Sequence, residues 1–149
     1  MEKPANSYII EEFVKGIGLT KASQDYYGSE SFIVDDMLVV IEDNPEEECI
    51  DCFAFAGEIT NPSEKLLETL LEANFLFRQT GGATIGFNKN TRMVLLFYRI
   101  HAINLSSSKF FELMEYFINI SHHWKLRIEE ITTETTPKTP MPYDHSLRV

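Results

Sequence analysis

Three groups of residues in this chain have types and spacings that can carry chemistry: a C-x-x-C pair, a glycine-rich loop and two adjacent histidines. Cys49 and Cys52 lie in ECIDCFAFAGEI, which is typical of a strand, so their side chains point to opposite faces. A redox C-x-x-C opens a helix, and a zinc site needs a second pair of ligands. His122 and His123 are adjacent on a predicted helix and do not face the same way. We therefore predict no metal site and no redox site.

The glycine-rich loop lies within ANFLFRQTGGATIGFNK, where Gly81 and Gly82 are followed by Gly86. Loops of this kind often bind phosphate. This one follows the C-terminus of a predicted helix, however, and the negative partial charge at that end repels phosphate. We predict that Gly81 and Gly82 form a turn with positive φ instead. The sequence also lacks a Walker loop, an HExxH motif and a nucleophile elbow, so we expect no cofactor and no enzymatic activity.

The composition is that of an ordinary globular protein with one domain. Of its 149 residues, 44% are hydrophobic and 24% are charged, and the net charge is -10. Such a charge repels nucleic-acid backbones and anionic lipid, so neither nucleic acid nor a membrane is an expected partner. The N-terminus has no apolar signal segment, and the longest strongly apolar run, 93–98, is too short to span a bilayer. We therefore expect a cytoplasmic protein.

The hydrophobic pattern predicts eight elements in the order α-β-β-β-α-β-β-α. Helical periodicity occurs after Ser7, after Asn61 (the predicted N-cap of the second helix) and after the serines at 106–108. Runs rich in β-branched and aromatic residues predict strands at 31–34, 37–42, 49–59, 83–87 and 92–100. The polar segment 20–30 is predicted to contain turns. The fold class is therefore α+β, with helices packed on a mainly antiparallel twisted sheet.

The domain is predicted to cover residues 1–131. Residues 132–149 are rich in threonine and proline, which predicts a mobile or extended C-terminal tail.

The order of elements and several short motifs resemble the small acidic type III secretion chaperones of bacteria, the Tir-chaperone family. The resemblance covers about residues 7–130 and includes the FIVDDMLVVIE run. The other matching motifs are Leu66-Leu67, Leu70-Leu71, Ala73-Asn74, Gly81-Gly82, Ile85-Gly86-Phe87-Asn88, the apolar strand Met93 to Phe97, and Trp124 near the end of the last helix.

The resemblance implies a homodimer that binds the N-terminal segment of a secreted effector in extended form and keeps it competent for secretion. Strand addition to an open sheet edge, with apolar side chains in pockets, would provide the binding. The residues implied for effector binding are Ile9, Phe13, Phe32 and Val34. Those implied for the dimer interface are Leu67, Leu70, Leu71 and Asn74. Each of these apolar residues has an alternative role in the core of its own chain.

Two other functions remain open at this point. One is a regulatory binding protein of the same fold, which would sequester a transcriptional anti-activator or another regulator. The other is a small enzyme, although the candidate catalytic residues are scattered along the chain.

Overall fold

A computed structural model describes residues 6–17, 23–24 and 29–135 of the chain. The helices are α1 (Ser7–Gly16), α2 (Glu64–Asn74) and α3 (Ser107–Thr135). The strands are β1 (Ser23–Gln24), β2 (Ser29–Val34), β3 (Met37–Asn44), β4 (Cys49–Glu58), β5 (Thr84–Asn88) and β6 (Met93–His101). Short 3-10 helices occupy Pro45–Glu47 and Phe75–Phe77.

The six strands form one antiparallel sheet in the order β1-β2-β3-β4-β6-β5. This confirms the predicted α+β class and the order of the longer elements. The two-residue strand β1 was not predicted, because its polar residues Ser23 and Gln24 carry no alternating pattern.

Helices α1 and α3 cover one face of the sheet. The Sγ atom of Cys52 in β4 lies 3.4 Å from the Sδ atom of Met114 in α3. In α1, the ring of Phe13 lies 6.0 Å from that of Phe32 in β2 and 5.6 Å from that of Phe110 in α3. The strand register places Phe32 and Cys52 on the same face, so both helices pack on one side.

The other face of the sheet carries a band of apolar side chains across β2, β3, β4 and β6. Cross-strand partners share a face, and the register therefore places these residues together: Ile33, Leu38, Val40, Phe53, Phe55, Leu95 and Phe97. The rings of Phe53 and Phe97 are 5.2 Å apart. Ile33 and Leu38 are exposed, so no element of the described chain buries them.

Serine side chains cap the N-termini of α2 and α3. Ser63 accepts a hydrogen bond from the Leu66 N–H at 3.1 Å, which makes Ser63 the N-cap of α2. The prediction that Asn61 is the N-cap was wrong, because the backbone is still extended at Ser63 and the helix starts only at Glu64. Ser106 accepts from the Lys109 N–H at 3.1 Å, as the serine cluster predicted for α3.

Helix α3 extends to Thr135, four residues past the predicted domain boundary at 131. Ile131 is fully buried, and the Thr132 and Thr133 hydroxyls donate to carbonyl oxygens one turn back. Glu134 pairs with Lys65 of α2 at 3.0 Å. These contacts continue the helix into the threonine-rich segment. The rest of the predicted tail, 136–149, lies outside the described residues.

The double glycine forms a turn between α2 and β5, and its φ angles are +59° at Gly81 and +93° at Gly82. A Cβ atom on Gly81 would overlap the side chains of Tyr116 and Ile120 in α3. Trp124 holds the same loop, because its Nε1–H donates to the Gln79 carbonyl at 2.9 Å. Both glycines therefore allow the positive-φ turn, and Gly81 also allows α3 to pack close to the loop.

We expect Gly81→Ala to lower the free energy of unfolding by about 1–3 kcal/mol, from the positive φ and from the displaced side chains. Gly86→Ala is the matched control, since a Cβ there meets no atom within 4 Å. Urea denaturation of both variants measures the difference. Equal stability of the two variants would contradict this account of the loop.

Candidate functional site

An apolar groove of about 240 Å³ runs between α1, the end of β2 and α3. Five apolar residues line it: Phe13, Ile17, Val34, Phe111 and Ile118. Glu115 and Asn119 complete the wall on α3. The rings of Phe13 and Phe111 are 5.4 Å apart, edge to face. The groove exists because α1 and α3 lie side by side on the sheet and their facing apolar stripes are not fully covered.

A second recess adjoins the groove and shares Phe13 and Phe111 with it. Its other lining residues are Glu12 of α1 and the first residues of α3, Ser107 and Ser108. The Ser107 hydroxyl donates to Glu12 Oε2 at 2.6 Å, which joins the two helices at this point. Groove and recess together form a continuous furrow along the α1–α3 seam, and the half-exposed Phe111 lies between them.

The four residues implied for effector binding divide into two pairs. Phe13 and Val34 line the groove. Ile9 and Phe32 are 3% and 0% exposed, within the core beneath it. Contact of any of the four with a partner stays a prediction; only the first pair lines the groove, and Phe13 is itself only 3% exposed.

The residues implied for effector binding did not include Ile17, Phe111 and Ile118, which also line the groove. The signal that could have found two of them is the apolar doublet, Phe110-Phe111 and Phe117-Ile118. A helix that packs one face on a sheet needs only one residue of each doublet for its core. Phe110 and Phe117 are buried, and the second residue of each doublet lines the groove.

The groove adjoins a sheet edge that is only partly paired. Strand β1 pairs with Glu30 and Ser31 of β2, so Phe32, Ile33 and Val34 have no outer strand partner within the described residues. Val34 belongs both to this edge and to the groove wall. A peptide that paired with the edge of β2 would therefore arrive at the groove.

The opposite sheet edge, β5, is closed at Ile85 by Asn74. The Asn74 side chain accepts from the Ile85 N–H at 2.8 Å and donates to the Ile85 carbonyl at 2.9 Å. Both outward main-chain groups of Ile85 are thus occupied, which blocks strand addition there. Asn74 was implied as a dimer residue, and the structure shows that its amide is bonded within its own chain.

A second apolar surface, here called the α2 strip, consists of exposed side chains on α2 and the 3-10 helix that follows it: Leu67, Leu71, Phe75, Leu76 and Phe77. Leu71 is 73% exposed, whereas Leu70 is only 6% exposed and belongs to the core. Of the four implied dimer residues, Leu67 and Leu71 are therefore at the surface. Sequence reasoning had not extended the interface to Phe75, Leu76 and Phe77.

The backbone of the α2 strip is strained. Leu76 and Phe77 have φ angles of +55° and +54°, which are rare for residues with large side chains. Each positive φ angle at a non-glycine residue costs on the order of 1 kcal/mol. Such strain persists only when the surrounding structure compensates for it.

The two thiols are buried on opposite faces of β4, as their spacing predicted. Cys52 packs on Met114, and burial raises the pKa of its thiol well above the ordinary range. Burial, with the nearby Asp51 carboxylate, also raises the pKa of Cys49. Asp51 is held by Arg99 through two hydrogen bonds, at 2.7 and 2.8 Å. These environments disfavour the thiolate that redox chemistry or metal binding requires.

Two further findings concern the residues that the structure describes. None of their His, Cys, Asp and Glu side chains form a group of three that could hold a metal ion. No helix within these residues is long and apolar enough to cross a membrane.

Comparison with known proteins identifies relatives of this chain. The sequence model described as the Tir chaperone protein (CesT) family matches residues 8–125. None of the curated protein sequences compared with the chain is a significant match.

Among solved structures, a chain of the ExsC–ExsE complex is similar, with a TM-score of 0.71 and 22% identity over 86% of this chain and 97% of that one. A chain of the HopA1–SchA chaperone–effector complex has a TM-score of 0.64 and 13% identity, and covers 81% of this chain and 94% of its own. A third similar chain comes from the complex between the Yersinia pestis type III secretion chaperone SycH and a fragment of YscM2. Its TM-score is 0.59 and its identity 19%, and the match covers 80% of this chain and 99% of that one. At these identities the likeness shows a shared fold.

We expect neither thiol of the folded protein to react with a chromogenic aromatic disulfide at pH 8, and both to react in guanidinium chloride. Because the folded pKa values lie above the unfolded value of about 8.5, the thiols' contribution to stability is present below that pH. It is lost as the pH rises further, since the unfolded chain then releases protons. Fast labelling of Cys49 in the native Cys52→Ala variant would contradict the structural role of these residues.

Proposed function

Because this chain belongs to the Tir chaperone protein (CesT) family, we propose that it is a type III secretion chaperone. Its client is the N-terminal segment of a secreted effector, which it binds in extended form and keeps soluble until export. The observation that carries the proposal is the junction at Val34, where the apolar groove meets the part of the β2 edge that pairs with no described strand. The similarity in fold to chains from a chaperone–effector complex and a chaperone–fragment complex supports it.

The two features at Val34 serve different parts of recognition. Main-chain hydrogen bonds to the edge of β2 require little of the client's sequence, and the groove accepts its apolar side chains. A client without a tertiary fold can satisfy both, because its main chain and side chains are free to adapt. The closed edge at Asn74 directs strand addition to β2 rather than β5.

The proposed function is binding without catalysis. The buried thiols with raised pKa values and the turn role of Gly81 and Gly82 support this, since each motif that suggested chemistry has a structural role. We place the protein in the bacterial cytoplasm, where effectors are synthesised before export.

The working form in this proposal is a homodimer, and the α2 strip is its interface. Three consecutive large apolar side chains, Phe75 to Phe77, are exposed on a strained backbone, and burial against a second copy would offset both costs. Leu67 and Leu71 extend the same surface along α2. A two-fold axis through the strip would bring the same residues of two chains together.

We expect the wild-type protein to be a dimer at micromolar concentration and Leu71→Asp to be a folded monomer, because the substitution places two like charges in an apolar interface. Ile103→Asp is the matched control, since Ile103 is also largely exposed but lies outside the α2 strip. Light scattering coupled to size exclusion gives the masses. A monomeric wild type, or a Leu71→Asp variant that remains dimeric, would refute this interface.

Client binding is tested in two steps. Co-purification from the native cell identifies the partner and distinguishes a secreted effector from a regulator protein. Calorimetry with the purified client segment then compares Phe111→Asp and Ile118→Asp with wild type. Each variant loses apolar contact worth about 1.5–3 kcal/mol, so we expect affinity to fall by tenfold or more.

Leu126→Asp is the control for this experiment. Leu126 is an exposed apolar residue of the same helix and is not part of the groove wall. Thermal melting verifies that all three variants fold. If both groove variants bind the client with wild-type affinity, the groove is not the docking site.

A further inference from the structure

The groove on the α1–α3 seam has an acidic rim. Glu115 is part of the groove wall, and Glu12 is part of the adjoining recess. The exposed Asp35 and Asp36 follow Val34 directly in the turn between β2 and β3. Among the residues that the structure describes, no lysine or arginine lines the groove or the recess.

Glu115 differs from the other carboxylates of α3, which all have ionic partners. The pairs on this helix are Glu112 with Lys109, Glu129 with Lys125, Glu130 with Arg127 and Glu134 with Lys65. Glu115 is exposed and forms no ion pair with any described residue. Helix α3 thus neutralises its acidic side chains along its length, except at the groove.

The other rim carboxylates also keep their charge available. Asp35 and Asp36 form no ion pair within the described residues. Glu12 accepts a hydrogen bond from the neutral Ser107 hydroxyl. A basic side chain entering the groove or the recess from solvent would therefore meet Glu115 of α3 or Glu12 of α1 without displacing a cation of any described residue.

We propose that the groove selects a client segment in which a large apolar side chain is flanked by lysine or arginine, and that Glu115 determines this specificity. The inference rests on the proposed function and adds the chemistry of the client to it. The apolar anchor fills the space beside Phe111. The aliphatic part of the flanking basic residue packs on the groove wall, and its charged end reaches Glu115. An acidic segment is repelled by the same rim.

A phage-displayed library of random 12-residue peptides provides the probe. Selection on immobilised wild-type protein, with counter-selection on Phe111→Asp, retains peptides whose binding requires the groove. We expect these peptides to be enriched in Lys and Arg beside an apolar residue. Fluorescence anisotropy then measures the affinity of one synthetic peptide for wild type, Glu115→Gln and Glu115→Lys at 0.15 M and 1 M salt.

Glu46→Gln is the matched control, because it removes one exposed carboxylate at the turn between β3 and β4, the opposite end of β3 from the groove. We expect Glu115→Gln to weaken binding about two- to five-fold at 0.15 M salt, Glu115→Lys to weaken it further, and 1 M salt to reduce these differences. Glu46→Gln should leave the affinity unchanged.

The outcomes separate the two proposals. Groove-dependent peptides without basic enrichment, or equal effects of Glu46→Gln and Glu115→Gln, would overturn the charge selectivity and leave the groove as the docking site. A selection that yields no groove-dependent peptide would overturn both.

Discussion

The packing of helix α3 across strand β4 is the interaction on which the rest of the structure depends. Met114 lies against Cys52 at the centre of the sheet, and Trp124 holds the loop before β5. Because α3 occupies the middle of the covered face, α1 can only lie beside it. The seam between the two helices leaves the groove, and the close approach of α3 to Gly81 leaves no room for a side chain there.

The acidic net charge compensates for the uncovered apolar surfaces of this protein. A chain with net charge -10 repels its own copies at long range, so exposed apolar surface does not lead directly to aggregation. Association then requires a surface that buries enough apolar area at short range, as the α2 strip does in the proposed dimer. At the groove, Glu115 has no ionic partner among the described residues, which in our proposal favours a basic client.

Much of the fold was predictable because it depends on local patterns. Runs of β-branched and aromatic residues identified the five longer strands, and helical periodicity identified the three helices. Errors occurred where local signals compete. Asn61 and Ser63 are both good N-caps, and the extended backbone at Ser63 decides between them. Strand β1 is held by pairing with Glu30 and Ser31, a contact that no pattern in two polar residues reveals.

The sequence by itself determined the element order, the acidic surface, the turn at Gly81 and the opposite orientation of the two cysteines, since these depend on residue type and spacing along one element. Only the tertiary structure decided which apolar residues remain uncovered. Leu70 and Leu71 are equivalent in the sequence pattern, yet one is in the core and the other is exposed. Periodicity shows that a stripe is apolar, but the width that a neighbouring element covers depends on how the elements cross.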